Sequence, residues 1–208
     1  MIARFSDLDG YAKDVLGELG NIGTGNAVTA LSQMLNRPIQ MECPAVRILD
    51  FNQVSEYLGG IEELRVGVML GIDGDLRGIF MFLLSEPFLK TMFAELLDTE
   101  ITSICNMDEM AESAVSEIGN IMCCSYINAL TKMMDVKVQV SVPDICVDMI
   151  GSLLSVPMIH FASLNDELLL IENRYHFGDL SMTSHILFLP EIDSLKRIFL
   201  ALGEDYEQ

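Results

Sequence analysis

Apolar positions from Asp14 to about Leu35 recur at helical spacing. At roughly 100° per residue, Leu16, Leu19, Ala27, Ala30, Leu31 and Met34 gather on one side, and Asp14, Glu18 and Asn21 form a narrow polar stripe on the other. Pro38 bars a further turn. The stretch IQMECPAVRIL that follows is extended in pattern, with Pro44 breaking or bulging its ladder, and FNQVSEYLGG reads as a short helical turn stopped by Gly59 and Gly60. RVGVMLGI and LRGIFMFLL flank Asp73-Gly74-Asp75, a hairpin signal because Asp-Gly tolerates the positive φ of a tight turn. Pro87 then opens a helix predicted over about Glu86 to Leu97.

The remainder of the chain runs through much the same order. Met110 to Met134 is helical in pattern, and VKVQVSV is a strand ending near Pro143. SVPMIHFASL and ELLLIENRYHF read as two strands flanking a turn at Asn165-Asp166, and SHILFLP as another strand. Pro190 precedes a helix from about Glu191 to Leu202, as Pro87 opens its counterpart. The match is closest in the long helices, where ELGNIGTGNAVTAL at 18–31 is answered by EIGNIMCCSYINAL at 117–130. Adding 99 to the first stripe gives Ser113, Glu117 and Asn120, with Val115, Ile118, Tyr126, Ala129, Leu130 and Met133 opposite. The expected fold is α/β, of the α+β two-layer kind. It is a pseudo-twofold, duplicated unit with two long helices side by side on a largely antiparallel sheet. A single domain of two repeats is expected, roughly 8–98 and 107–203, meeting near 99–107.

Composition narrows the function classes. Half of the 208 residues are apolar, enough for a substantial core. Apolar runs such as Ile79 to Leu84 fall far short of the roughly 18 residues of a membrane span, and MIARFSDLDG has no apolar signal region, so a cytoplasmic location is expected. The net charge of −19 argues against nucleic acid or an anionic membrane as partner, both being polyanions, and suits a protein with a basic face. Acidic charge also keeps an apolar chain in solution. The five cysteines form no CxxC pair and have no nearby histidine cluster, so they read as small buried hydrophobes in a reducing compartment. His160, His176 and His185 are scattered, and no nucleophile triad assembles around them.

One further spacing is shared by the two copies: 22 residues separate Asn21 from Pro44 and Asn120 from Pro143. The resulting pattern, Asp/Ser-x3-Glu-x2-Asn-x22-Pro, occurs as Asp14, Glu18, Asn21, Pro44 and again as Ser113, Glu117, Asn120, Pro143. It resembles the signature of the CheC/CheX/FliY phosphatases of bacterial and archaeal chemotaxis, and the resemblance covers essentially the whole chain. Two signatures in one chain resemble the CheC type, because the CheX type carries one in a shorter, dimerising chain. The FliY type adds a C-terminal motor domain, which a sequence ending at Gln208 is expected to lack.

The resemblance implies that the substrate is the phosphorylated response regulator CheY, whose aspartyl phosphate is hydrolysed. It implies that Asn21 and Asn120 orient the attacking water, and that Glu18 and Glu117 pair with a lysine of the regulator. No cofactor is expected on this chain, since Mg²⁺ would come from the regulator's own acidic site. The receptor deamidase CheD is a further partner the resemblance allows. A non-catalytic adaptor binding CheY-P or CheD is the alternative reading. The chemistry is consistent with hydrolysis: phosphoryl transfer is catalysed mainly by positioning and electrostatics, and a neutral amide can hold a water without repelling the phosphate. Asp14 and Ser113 are polar positions on the stripe, and Pro44 and Pro143 are expected to shape the strand behind each helix. The first helix, with Gly17, Gly20, Gly23 and Gly25, is expected to be the looser one, and the second the stiffer and more active. Internal duplication favours a monomer.

Overall fold

A computed structural model describes residues 10–97, 100–161 and 167–201. The first half runs α1 (Gly10–Leu35), β1 (Gln40–Met41), β2 (Ala45–Asp50), α2 (Phe51–Tyr57), β3 (Leu64–Gly74), β4 (Gly78–Leu84) and α3 (Glu86–Leu97). A 3-10 turn at Ile104–Asn106 leads into α4 (Glu109–Met134), β5 (Val138–Val140), β6 (Asp144–Met149), α5 (Ile150–Phe161), β7 (Glu167–Phe177), β8 (Leu180–Pro190) and α6 (Ile192–Ala201). The order of elements is therefore the same in both halves, and the fold is mixed α/β on an antiparallel sheet.

The sheet interlaces the halves. β4 and β8 pair at its centre, with Met81 opposite Leu187. β3 flanks β4 and β7 flanks β8. The outer edges are then exchanged: β2 of the first half pairs with β7 (Ala45 opposite Glu172), and β6 of the second half pairs with β3 (Asp144 opposite Met69). Both prolines sit where these edges break. From Met41 to Ala45 the chain advances four residues while its partner moves three, from Tyr175 to Glu172. Val140 to Asp144 against Ile72 to Met69 repeats the count. Each edge thus holds one extra residue next to a proline that cannot donate to the ladder, as expected for Pro44 and Pro143.

The central strands are apolar on both sides, because both faces are covered. Phe80, Phe82 and Leu84 point into the main core with α1, α3, α4 and α6, while Met81 and Leu83 point the other way. On that second face they meet Phe51 and Val54 of α2, its C-cap Leu58, and Ile150, Leu153 and Leu154 of α5. In the main core the Tyr126 ring lies 5.0 Å from Phe80, and it presses on α1 where Gly23 leaves room. A Cβ on Gly23 would stand 2.5 Å from that ring. Glycine at this position is what admits the aromatic ring.

Four expectations are corrected. Residues of SVPMIHFASL up to Phe161 are the C-terminal part of α5, not a strand, and Pro157 lies inside that helix. The second hairpin is β7–β8, turning at Gly178 with φ of 59°, whereas Asn165 and Asp166 lie outside the described residues. The cysteines are not uniformly buried: Cys123 is buried and Cys124 half-buried, but Cys43, Cys105 and Cys146 are exposed and all five are free. Cys43 and Cys146 belong to the edge strands and their bulges, and Cys105 to the 3-10 turn between the halves. Met133, placed on the core face by periodicity, is 38% exposed.

A charged cluster missed by the periodicity lies under α2. The Glu172 carboxylate accepts from the Tyr57 hydroxyl and from Arg174 Nη2 at 2.8 Å, with His185 Nε2 at 3.5 Å. The Arg47 guanidinium stacks 4.8 Å over the Tyr57 ring. Burial pushes the Glu172 carboxyl up, but Tyr57, Arg174 and His185 outweigh it and leave it below the ordinary range. Burial also pushes the His185 imidazole down, with Glu172 opposing.

Two outcomes follow. Gly23→Ala should lower the unfolding free energy by about 1–3 kcal/mol through overpacking. Adding Tyr126→Leu should cost less than the sum of the single changes, as measured in a denaturant double-mutant cycle. On acidification, stability should fall in two stages. Below about pH 6.5, the ordinary value for histidine, the unfolded chain takes up a proton that buried His185 refuses; lower still, the Glu172 contribution is lost as pH drops through its lowered pKa. His185→Leu should flatten the first stage and leave most of the second, read from urea unfolding across pH 7.5 to 2.5.

Candidate active site

Both long helices are stopped in the same way. α1 ends at Asn36 with φ of 50° and α4 at Asp135 with φ of 51°, each left-handed. Arg37 N donates to Ser32 O and Val136 N to Thr131 O, each at 3.1 Å, which satisfies carbonyls that the helix end would otherwise orphan. At its start, α4 is capped by Asp108, whose carboxylate accepts from Ala111 N at 2.8 Å. These caps define which turns exist and so which residues share a face.

The stripes emerge with matching exposure. Asp14 and Glu18 on α1 are exposed, as are Ser113 and Glu117 on α4, while Asn21 and Asn120 are half-buried. Each asparagine follows a buried glycine that seats its helix on the sheet. A Cβ on Gly20 would be 3.4 Å from Val46, and one on Gly119 would be 2.5 Å from Val68. An exposed carboxylate thus stands one turn from an amide anchored close to the helix backbone. Pro44 and Pro143 lie in the breaks of the edge strands behind, not on the stripes; the structure brings Asp14, Glu18 and Asn21 onto one helix face and Ser113, Glu117 and Asn120 onto the other.

Between the two helices runs an outward-facing groove of about 660 Å³. It is lined by Asn26, Thr29, Ala30 and Gln33 from α1 and by their counterparts 99 residues later, Ser125, Asn128, Ala129 and Lys132. This pairing was present in the numbering of the repeat, but no chemistry-bearing motif singled it out. Beyond the asparagines the copies differ: Gly25 has no atom within 4 Å of where a Cβ would sit, whereas Cys124 Sγ is 3.3 Å from Asn120 Oδ1. Among the described residues no group of three or more His, Cys, Asp or Glu side chains is placed to hold a metal. No helix among them is long and apolar enough to cross a membrane.

The protein is 30% identical over 207 residues to the CheY-P phosphatase CheC of Bacillus subtilis, covering 96% of this chain and 97% of that one. The chain belongs to the CheC-like family. The family pattern itself matches residues 12–48 and 110–147, the two segments that carry the stripes and their prolines. The flagellar motor switch phosphatase FliY of Bacillus subtilis is 26% identical over 144 residues, 68% of this chain and 37% of that protein. The fold agrees with the crystal structure of Thermotoga maritima FliY at a TM-score of 0.74 and 22% identity, covering 94% of this chain and 98% of that one. The FliM middle domain from H. pylori shares the fold at a TM-score of 0.66 with 8% identity, over 93% and 99% of the two chains.

Proposed function

We propose that this protein is a phosphatase of a phosphorylated CheY-type response regulator, with α1 and α4 each presenting one site. The observation that carries this reading is the repeated pairing of an exposed glutamate with a half-buried asparagine three residues later, inside both segments that match the family. The names of the curated relatives, CheY-P phosphatase and flagellar motor switch phosphatase, support the substrate class.

The chemistry assigned to the stripes needs no nucleophile from this chain. A water oxygen attacks phosphorus as the bond to the regulator's aspartyl oxygen breaks. The products are inorganic phosphate and a free carboxylate, and the water proton leaves with the phosphate or solvent. Asn21 or Asn120 accepts from that water through Oδ1 and donates through Nδ2 to a phosphoryl oxygen, holding the approach in line. Glu18 or Glu117 would repel the phosphate directly, so its place one turn away suits pairing with a cation of the regulator. Mg²⁺ belongs to the regulator's acidic site in this scheme. The second copy has Met122, a better helix former, where the first has Gly23, which favours α4 as the faster site.

The test is phosphate release from a Mg²⁺-loaded, phosphorylated regulator. Asn21→Ala/Asn120→Ala should lose acceleration on the order of 10²-fold or more while still binding the regulator. Asn120→Ala alone should cost more than Asn21→Ala. Glu18→Ala/Glu117→Ala should raise KM more than it lowers kcat. Wild-type hydrolysis by the double asparagine variant would falsify the assignment of the stripes, and binding without acceleration by the wild type would leave them as an adaptor surface.

A further inference from the structure

The second stripe carries one polar group that the first lacks. Glu117, Asn120 and Cys124 share an arc of about 60° on α4, so the thiol stands one turn beyond the amide on the same face. Sγ lies 3.3 Å from Asn120 Oδ1, within reach for a thiol donating to an amide oxygen. In the first copy the equivalent position is Gly25, and the space a side chain would take there is open. Asn21 therefore has no such donor from the next turn.

We propose that Cys124 is a positioning residue that fixes the rotation of the Asn120 carboxamide and makes the two sites unequal. The thiol occupies one lone pair of Oδ1. The second lone pair remains for the attacking water, and Nδ2 remains free to donate to the phosphate. Burial, and then the Glu117 charge, pushes the Cys124 thiol up, which keeps it in the donating S–H form. The same upward push disfavours the thiolate, so the residue is suited to orienting a neighbour and not to attacking phosphorus itself. The inference rests on the reading of Asn120 as the amide of the second site.

The experiment isolates each site in turn. In an Asn21→Ala background, where only the second site remains, Cys124→Ala should lower kcat roughly three- to tenfold, the factor an ordinary net hydrogen bond supplies, with KM unchanged. Cys124→Ser keeps a donor and should retain most of kcat, which a purely structural role for the sulfur does not predict. In an Asn120→Ala background, Gly25→Cys should raise the first site's kcat above that of Gly25→Ala, a control for helix stiffening. That arm places a side chain in open space, so it stays decisive if a Cys124 variant folds poorly. Unchanged kcat in Cys124→Ala, serine no better than alanine, or cysteine no better than alanine at position 25 overturns the proposal. Should Asn21→Ala/Asn120→Ala still hydrolyse the regulator normally, the amide reading fails first and takes the proposal with it; loss there with no effect at 124 and 25 sinks the positioning role alone.

Discussion

The exchange of edge strands is the constraint on which the rest of this structure depends. Each of the eleven-residue strands β3 and β7 has its inner edge paired within its own half and its outer edge paired by the other half. Backbone amides and carbonyls in a sheet must find partners, and an unpaired strand of that length is a template for association. Neither half can satisfy its own sheet. Because β2 follows α1 and β6 follows α4, the exchange also draws the two long helices over the shared sheet, and there they pack on each other.

The stripes are a by-product of that arrangement in one sense and its point in another. Once Leu16, Leu19, Ala27 and Leu31 are committed to the core, the opposite face of α1 has to meet water. Any polar residues would satisfy that demand. What is specific is the amide seated half into the surface beside a glycine, because a short polar side chain held near the backbone has little freedom to lose when a partner arrives. The carboxylate one turn away remains free to move and so can find a cation before the amide engages.

Much of this was legible in the sequence for a physical reason: a 26-residue amphipathic helix repeats its period often enough to be unambiguous, and Asp73-Gly74 between two apolar runs announces a hairpin. The apolar run at 155–161 was misread because short buried helices and strands share the same composition. The repeat held only part of the correction: Phe51–Tyr57 is helical and lies 99 residues before Ile150–Val156, but Leu58 to Glu62, the counterparts of 157–161, are not helical. The Glu172 cluster was invisible for a different reason. Its partners Tyr57, Arg174 and His185 come from α2, β7 and β8, and nothing in linear spacing joins them. On the stripes, Glu18, Asn21, Glu117 and Asn120 were found by their duplication, whereas the contact from Cys124 to Asn120 needed the side-chain positions to be seen.

The fit of Tyr126 against Gly23 bears on the history that a repeat implies. Position 23 corresponds to Met122 in the second half, and position 126 to Ala27 in the first. Two copies of the second half, paired as the halves pair here, would drive each tyrosine ring into a methionine; two copies of the first would leave a void where alanine faces glycine. The fused halves have become lock and key to one another, each selecting the other over itself. At this one crossing the symmetry of the fold ends: each half is shaped for a neighbour unlike itself, and the two helices cannot be interchanged without a clash or a void.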